Sequence, residues 1–286
     1  MADMRIAIIG DVHAQWAAAD TDYFARSGHD LVLFVGDLPS ATHRDLLAVA
    51  SRMASLRTPA ILIPGNHDGT RPVQVLAEAT RVGANLALWR GGQQRRIHRL
   101  RRALGSVALG GYSVHTCGVV DVVACRPHAM DGRYLSFQPY LAEAFGISDL
   151  PASAARLRHC VDQCTQPIVF LSHNGPSGLG DTRDDLFGRS RPEFDNGDRD
   201  LAEAIAYARS SGHRVLASVS GHMHHSGDGG MRRWTVSREG VRYVNAARVP
   251  RVFRREGRTW RHCVELDIDG VEVSVREHLY EALSDG

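Results

Sequence analysis

Near its beginning the chain runs three times through a short apolar segment, stops at glycine, and continues with side chains that carry carboxylate, amide or imidazole. Ile6-Ala7-Ile8-Ile9 ends in Gly10-Asp11-Val12-His13, Leu31-Val32-Leu33-Phe34-Val35 ends in Gly36-Asp37, and Ala60-Ile61-Leu62-Ile63-Pro64 ends in Gly65-Asn66-His67-Asp68. Apolar runs of this length without alternation are strands buried on both faces, as in a parallel sheet. Between them lie segments of helical spacing: an alanine-rich stretch over 17–26, residues 42–56 with Thr42 as a candidate N-cap, and residues 71–81 with Pro72 in the first turn. Parallel strands joined by helical crossovers bring their carboxyl ends to one edge of the sheet, so the three polar clusters should converge. Pro-Gly-Asn is also good turn chemistry, so Gly65-Asn66-His67-Asp68 means little until the pattern recurs.

The pattern lapses and then returns. The basic run Arg95-Arg96-Ile97-His98-Arg99-Leu100-Arg101-Arg102 precedes the strand-like Val107-Ala108-Leu109-Gly110-Gly111. Residues 119–148 show mixed short runs, with Arg126, His128, Arg133 and Tyr134 as polar candidates for a substrate-side loop. A helix over 152–163 puts Cys160 and Cys164 one turn apart, the spacing of core packing. Ile168-Val169-Phe170-Leu171 is a fourth buried strand and ends in Ser172-His173-Asn174-Gly175-Pro176. A polar, glycine-rich loop over 177–200 and a helix over 201–209 lead to a fifth strand at 215–219, which ends in Ser220-Gly221-His222-Met223-His224-His225. The remainder is antiparallel in character: 234–237 and 241–245 flank Arg238-Glu239-Gly240, and 263–268 and 271–275 flank the hairpin signal Asp269-Gly270. We expect one α/β domain over residues 1–286, with an irregular insertion at about 85–150 and an antiparallel C-terminal extension at about 250–286.

Composition removes several classes of chemistry. All 34 cationic side chains are arginine, and without lysine neither Schiff-base nor P-loop chemistry is open to the chain. The five cysteines are an odd number with no Cys-x-x-Cys pair, so neither a disulfide framework nor a zinc knuckle is indicated. A net charge of +2 argues against a continuous nucleic-acid groove, and the basic run at 95–102 is expected to be a solvated face. Met1-Ala2-Asp3-Met4-Arg5 leads directly into a strand, and no apolar run has bilayer length. A soluble, cytoplasmic protein without a membrane partner is the expectation.

Asp11, His13, Asp37, Asn66, His173, His222 and His224 supply hard oxygens and imidazoles at strand ends, with no thiolate among them. That donor set suits manganese, iron or zinc in five- or six-coordinate sites. Seven donors are too many for one ion that must also leave room for substrate. Two ions sharing one carboxylate would use them all, about 3.5–4 Å apart as in two-metal hydrolases. Each element has a plainer explanation, since Asp-x-His is often a capped turn and clustered histidines often lie on a surface. Turn propensity alone does not explain five such elements, each directly after an apolar strand.

As an ordered set, Asp11-x-His13, Gly36-Asp37, Gly65-Asn66-His67-Asp68, His173 and Gly221-His222-x-His224 resembles the calcineurin-like metallophosphoesterase superfamily, over residues 6 to about 246. The resemblance implies a four-layer αββα sandwich of two mixed β-sheets. It implies that one metal takes Asp11, His13, Asp37 and His224, that the other takes Asp37, Asn66, His173 and His222, and that Asp37 bridges them. His67 is then the general acid that protonates the leaving oxygen, with Asp68 orienting its ring. The implied activity is hydrolysis of a small phosphomonoester or phosphodiester by in-line attack of a metal-bridging hydroxide, with manganese as the first expectation and iron, zinc or a mixed pair as alternatives. Arg126, Arg133, Arg183 and Arg248 are candidates for holding the ester group. Ala14-Gln15-Trp16 and Leu38-Pro39-Ser40 depart from common forms of the first two motifs, beside the pocket that selects substrate. Segments 172–180 and 245–251 resemble a little-characterised branch, which brings no established substrate. Two rival functions on this scaffold are a nuclease, which would need a basic groove, and a non-catalytic metal-binding module such as the retromer subunit.

Overall fold

The computed structural model describes residues 3–81, 92–182, 185–188, 194–225, 233–270 and 272–281. In chain order its elements are β1 (Met4–Ile9), α1 (Ala18–Phe24), β2 (Leu31–Phe34), α2 (Leu46–Met53), β3 (Ala60–Leu62), α3 (Pro72–Thr80), α4 (Gln93–Ala103), β4 (Ala108–Leu109), β5 (Ser113–Cys117) and β6 (Val120–Ala124). There follow α5 (Gln138–Phe145), α6 (Leu150–Asp162), β7 (Ile168–Leu171), α7 (Arg199–Ser210), β8 (Val215–Ser220), β9 (Thr235–Arg238), β10 (Val241–Asn245), β11 (Val252–Arg255), β12 (Arg258–Asp269) and β13 (Glu272–Glu281).

These strands make two mixed sheets. The first has seven strands in the order β11-β12-β1-β2-β3-β4, with β13 also paired to β12. Within it β1 to β4 are parallel, and β12 runs antiparallel to β1, with Met4 opposite Ile268 and Ile8 opposite Val264. The second has six strands in the order β5-β6-β7-β8-β10-β9, of which β6, β7, β8 and β10 are parallel. One hydrophobic core joins Ile6, Ile8 and Phe34 of the first sheet to Val122, Phe170 and Val219 of the second, and helices flank the pair in an α/β sandwich. Strands β2 and β7 are buried at every residue, as their unbroken apolar sequences require, and β8 is buried throughout with Ser218 and Ser220 among its residues. Helix α2 shows the complementary pattern and buries Leu46, Val49, Ala50 and Met53, the i, i+3, i+4, i+7 stripe of a helix laid on a sheet.

The structure departs from expectation in four places. Helix α2 begins at Leu46 and not near Thr42, because His43 has φ 57°, which an α-helix cannot contain. The helix expected over 152–163 begins at Leu150, where the Asp149 carboxylate accepts the N–H of Ala152 at 2.8 Å. The stretch expected to be an irregular insertion supplies β4 to the first sheet and β5 and β6 to the second, and its arginine run is the outer side of α4, whose Ile97 and Leu100 face the core. At the C-terminal end the first hairpin strand is twelve residues long, and it joins β13 and β11 to β1. All five cysteines are free thiols, and Cys160 and Cys164 are buried. Among the described residues no helix is long and apolar enough to cross a membrane.

Candidate metal centre

Each expected donor lies just past the carboxyl end of a parallel strand. Asp11 and His13 follow β1, Asp37 follows β2, Asn66 follows β3, His173 follows β7, and His222 and His224 follow β8. The loops meet so closely that side chains are excluded at two glycines. A Cβ on Gly65 would lie 2.3 Å from Asp37 Oδ1 and 2.6 Å from His173 Cε1, and one on Gly221 would lie 2.3 Å from Asp11 Oδ1. Three donors sit on left-handed backbone, His13 at φ 43°, Asp37 at 52° and His222 at 64°. Such residues cost about 1–3 kcal/mol each and persist where the surroundings over-determine them. Here the His13 N–H donates to the Asp37 carbonyl at 2.8 Å, the Asp37 N–H to Asp68 at 2.8 Å, and the His222 N–H to the Asp11 carboxylate at 3.2 Å.

The donors form two groups, Asp11 with His13 and His224, and Asp37 with His173 and His222, and within each the ligand-capable atoms all lie within 4.8 Å of one another. In the first, His224 Nε2 is 2.8 Å from Asp11 Oδ2 and 3.1 Å from His13 Nε2. In the second, His173 Nε2 is 3.5 Å from Asp37 Oδ2 and 2.9 Å from Asn66 Oδ1, so Asn66 belongs there. Backbone carbonyls set the rings: His173 Nδ1–H donates to Val35 at 2.7 Å and His222 Nε2–H to Met130 at 3.0 Å. Those bonds leave Nε2 of His173 and Nδ1 of His222 as the basic nitrogens, the outer-shell arrangement usual for ligating histidines. His173 Nε2, left without a hydrogen by the bond to Val35, and Asn66 Oδ1 are two acceptors facing each other at hydrogen-bond distance. A cation between such atoms satisfies both, and in this respect the residues fit a metal centre.

At Asp37, Asp11 and His222 charge points the same way. Burial pushes the Asp37 carboxyl up, but His173, His67 and His13 draw it down further, and it ends well below the usual carboxylate range. Asp11 is likewise lowered, burial being outweighed by the hydrogen bond from His224 and the charge of His173. Burial, then His173, holds His222 down to about 3, so its imidazole is neutral. Anionic carboxylates and a neutral imidazole are the forms that bind metal.

The residues beside the donors require one correction. Asp68 was expected to orient the His67 ring, yet its carboxylate accepts the backbone N–H groups of Gly65 at 2.7 Å, Asp37 at 2.8 Å and Leu38 at 2.9 Å. It therefore staples the loops after β2 and β3 together. His67 Nδ1 instead meets Nε2 of His43 at 2.6 Å, and its Nε2 lies 3.9 Å from Asp37 Oδ2. His43, on an exposed-looking Ser-Ala-Thr-His stretch, carried no motif by which sequence could single it out.

Of the arginine candidates, Arg126 is buried between Asp198 at 2.8 Å and Asp200 at 2.9 Å, which removes it from a substrate role. Arg133 pairs with Asp131 at 2.6 Å and lies over the Phe194 ring at 4.8 Å, while Arg248 lies over Phe253 at 4.3 Å. Arg183 lies outside the described residues. His128 is buried and gives its Nδ1–H to the Gly65 carbonyl at 2.8 Å, and Tyr134 donates to the Glu78 carbonyl at 2.9 Å, so both brace the scaffold.

With the geometry in hand, known proteins give the family. No curated protein matches the chain. Among solved structures, TT1561 of Thermus thermophilus is 11% identical with a TM-score of 0.55, covering 96% of this chain and 99% of that one. A further crystal structure is 8% identical with a TM-score of 0.59, covering 99% and 100%. Both are similarities of fold. A dimetal phosphatase from Danio rerio is 12% identical with a TM-score of 0.49, covering 98% and 99%. A family model described as calcineurin-like phosphoesterase matches residues 4–244, a span that takes in β1 to β9 and all seven candidate donors, and the chain belongs to that family.

Proposed function

We propose that the protein is a dinuclear-metal phosphoesterase that hydrolyses a small phosphomonoester or phosphodiester. The observation that supports this best is the pairing of two donor groups where the parallel strands of both sheets end, Asp11, His13 and His224 beside Asp37, His173 and His222, in a chain whose family binds dinuclear metal centres. Asp11, His13 and His224 would hold one cation, His173, His222 and Asn66 the other, and Asp37 would be shared. The oxygen and imidazole donors favour manganese, with iron or zinc as alternatives. When bound, such a pair supplies a hydroxide near neutral pH and Lewis acidity toward the phosphoryl oxygens.

The chain's own residues do the rest. Asp11 and Asp37 set the charge of the site, and the carbonyls of Val35 and Met130 hold His173 and His222 in the tautomers that can bind. His67 directly follows Asn66 and turns its Nε2 toward the Asp37 side of the centre, where it gives a proton to the leaving oxygen as the P–O bond breaks. The family also includes non-catalytic members, but here His67 and every donor are in place.

Rates on p-nitrophenyl phosphate, bis-p-nitrophenyl phosphate and a cyclic nucleotide with added manganese test the proposal. We expect turnover of at least one ester, lost on chelation and restored by manganese. Metal-loaded protein that turns over none of the three and other phosphoesters alike would contradict it.

A further inference from the structure

His43 has no place in the seven-donor set, yet it makes the closest side-chain contact to His67. Its Nε2 is 2.6 Å from His67 Nδ1, with the ring centroids 4.8 Å apart and the planes at 76°. On its other side His43 Nδ1 is 3.1 Å from the Thr70 carbonyl oxygen. A carbonyl only accepts, so Nδ1 of His43 carries a hydrogen and Nε2 is the atom left to share a proton with His67. Thr70 is itself fixed, because its hydroxyl donates to the Asn66 carbonyl at 2.8 Å. The connections close on themselves: Asn66 holds Thr70, Thr70 holds His43, and His43 holds the ring of the residue next to Asn66. The φ of 57° at His43, the conformation that stops α2 from starting earlier, belongs to the turn that delivers this ring. Side-by-side packing of two imidazoles does not account for a nitrogen–nitrogen contact this short with the far nitrogen anchored to a carbonyl.

We propose that His43 is a positioning residue for His67, fixing the rotation of its ring and keeping its Nδ1 occupied so that Nε2 is the nitrogen that gives up a proton. The inference rests on the phosphoesterase reading and extends it by one residue. In the step, the P–O bond to the leaving group breaks, the leaving oxygen takes the proton from His67 Nε2, and one proton stays between His67 Nδ1 and His43 Nε2. The proton on His67 Nε2 is then replaced from water. No oxidation or reduction is involved. Without His43 the ring is free to turn, and Nδ1 competes with Nε2 for the proton, so the loss should fall on esters whose leaving group needs protonation.

Two measurements on the full chain decide the matter. The first is NMR of zinc-loaded protein with 15N-labelled histidine. We expect a strongly downfield ring N–H shared between His67 Nδ1 and His43 Nε2, and its loss in His43→Leu; absence of that signal in the unsubstituted protein overturns the pairing itself. The second is the rate of His43→Leu on an alkyl phosphoester and on the matching p-nitrophenyl ester, beside metal content. With the metals retained, we expect a loss of about 10- to 100-fold on the alkyl ester and a change within about twofold on the p-nitrophenyl ester, part of the 10²–10⁴ that a general acid contributes. His43→Asn, whose amide oxygen also accepts from Nδ1–H, should recover most of the alkyl rate. Equal losses on both esters, or no recovery in His43→Asn, would overturn the positioning role while leaving the phosphoesterase reading intact. A shared proton seen by NMR in a metal-loaded protein that cleaves neither ester would instead sink that reading, and the role of His43 in proton transfer with it.

Discussion

In the proposed centre Asp37 is the carboxylate that both cations require, and it is held by more than one neighbour: its N–H reaches Asp68, its Oδ1 accepts the His67 N–H at 2.8 Å, and its carbonyl accepts from His13. Asp37→Asn keeps the shape and removes the charge, so metal content and turnover should fall together, whereas Cys160→Ser, buried in the core away from the centre, should change neither. Metal analysis and rate on the same samples check this, and full metal occupancy in Asp37→Asn would contradict it. His67→Asn separates binding from proton transfer: both metals should stay, and the rate on an alkyl phosphoester should fall far more than on a p-nitrophenyl ester, whose phenolate leaves without help. Equal losses on the two, or loss of a metal, would refute the acid role. The seven side chains that the structure brings together were legible in the sequence because oxygen and imidazole side chains recur after apolar runs. The groups that aim them were not, since the carbonyls of Val35 and Met130 belong to the backbone, which has no residue-type signature. His43 was hidden for a related reason: its value depends on a left-handed turn that brings together residues far apart in sequence.

At the scale of elements, the site depends on how the loops after β2 and β3 are tied together, and that tie is Asp68. Burial, then the charge of Asp37, pushes its carboxyl up to about 7, against the pull of the N–H groups it accepts. Asp68→Ala would strand three buried N–H groups, each costing about 1–3 kcal/mol when left without a partner. Thermal unfolding should show a clear loss of stability, metal affinity should drop with it, and Asp68→Asn should be milder because one amide oxygen still accepts. An unchanged melting temperature in Asp68→Ala would contradict the stapling role. Strands that precede donors were readable because β2 and β7 are buried on both faces and so are apolar throughout, and β8 breaks its apolar run only with Ser218 and Ser220. Strand β5 was not: it is an edge strand with polar Ser113, His115 and Thr116 and leaves no hydrophobic run. The long β13 alternates exposed and half-buried residues, and only its first part looked like a strand. The helix starts were misplaced where a single residue decides them, His43 before α2 and Asp149 before α6.

Across the whole molecule, buried histidines meet carboxylates on and around β12, and these pairs bear on acid stability. Burial lowers the pKa of His29 despite Glu265 at 3.0 Å, and burial lowers that of His262 despite Glu277 at 3.1 Å. An unfolded histidine titrates near 6.5, so below about pH 6.5 these two groups bind more protons in the unfolded chain than in the folded one, and their contribution to stability falls as pH falls. Between pH 7 and 5.5 the urea midpoint should therefore drop more in the unsubstituted protein than in the His29→Gln, His262→Gln double variant; equal drops would contradict this. The two sheets and their shared core bring the loops after β1, β2, β3, β7 and β8 together, and we propose that two metal ions are held there through one carboxylate. Anomalous diffraction from crystals of manganese-loaded protein would locate the ions. Two peaks about 3.5–4 Å apart, one against Asp11, His13 and His224, the other against Asn66, His173 and His222, with Asp37 touching both, are the predicted result. A single peak, or two peaks that do not share Asp37, would contradict it.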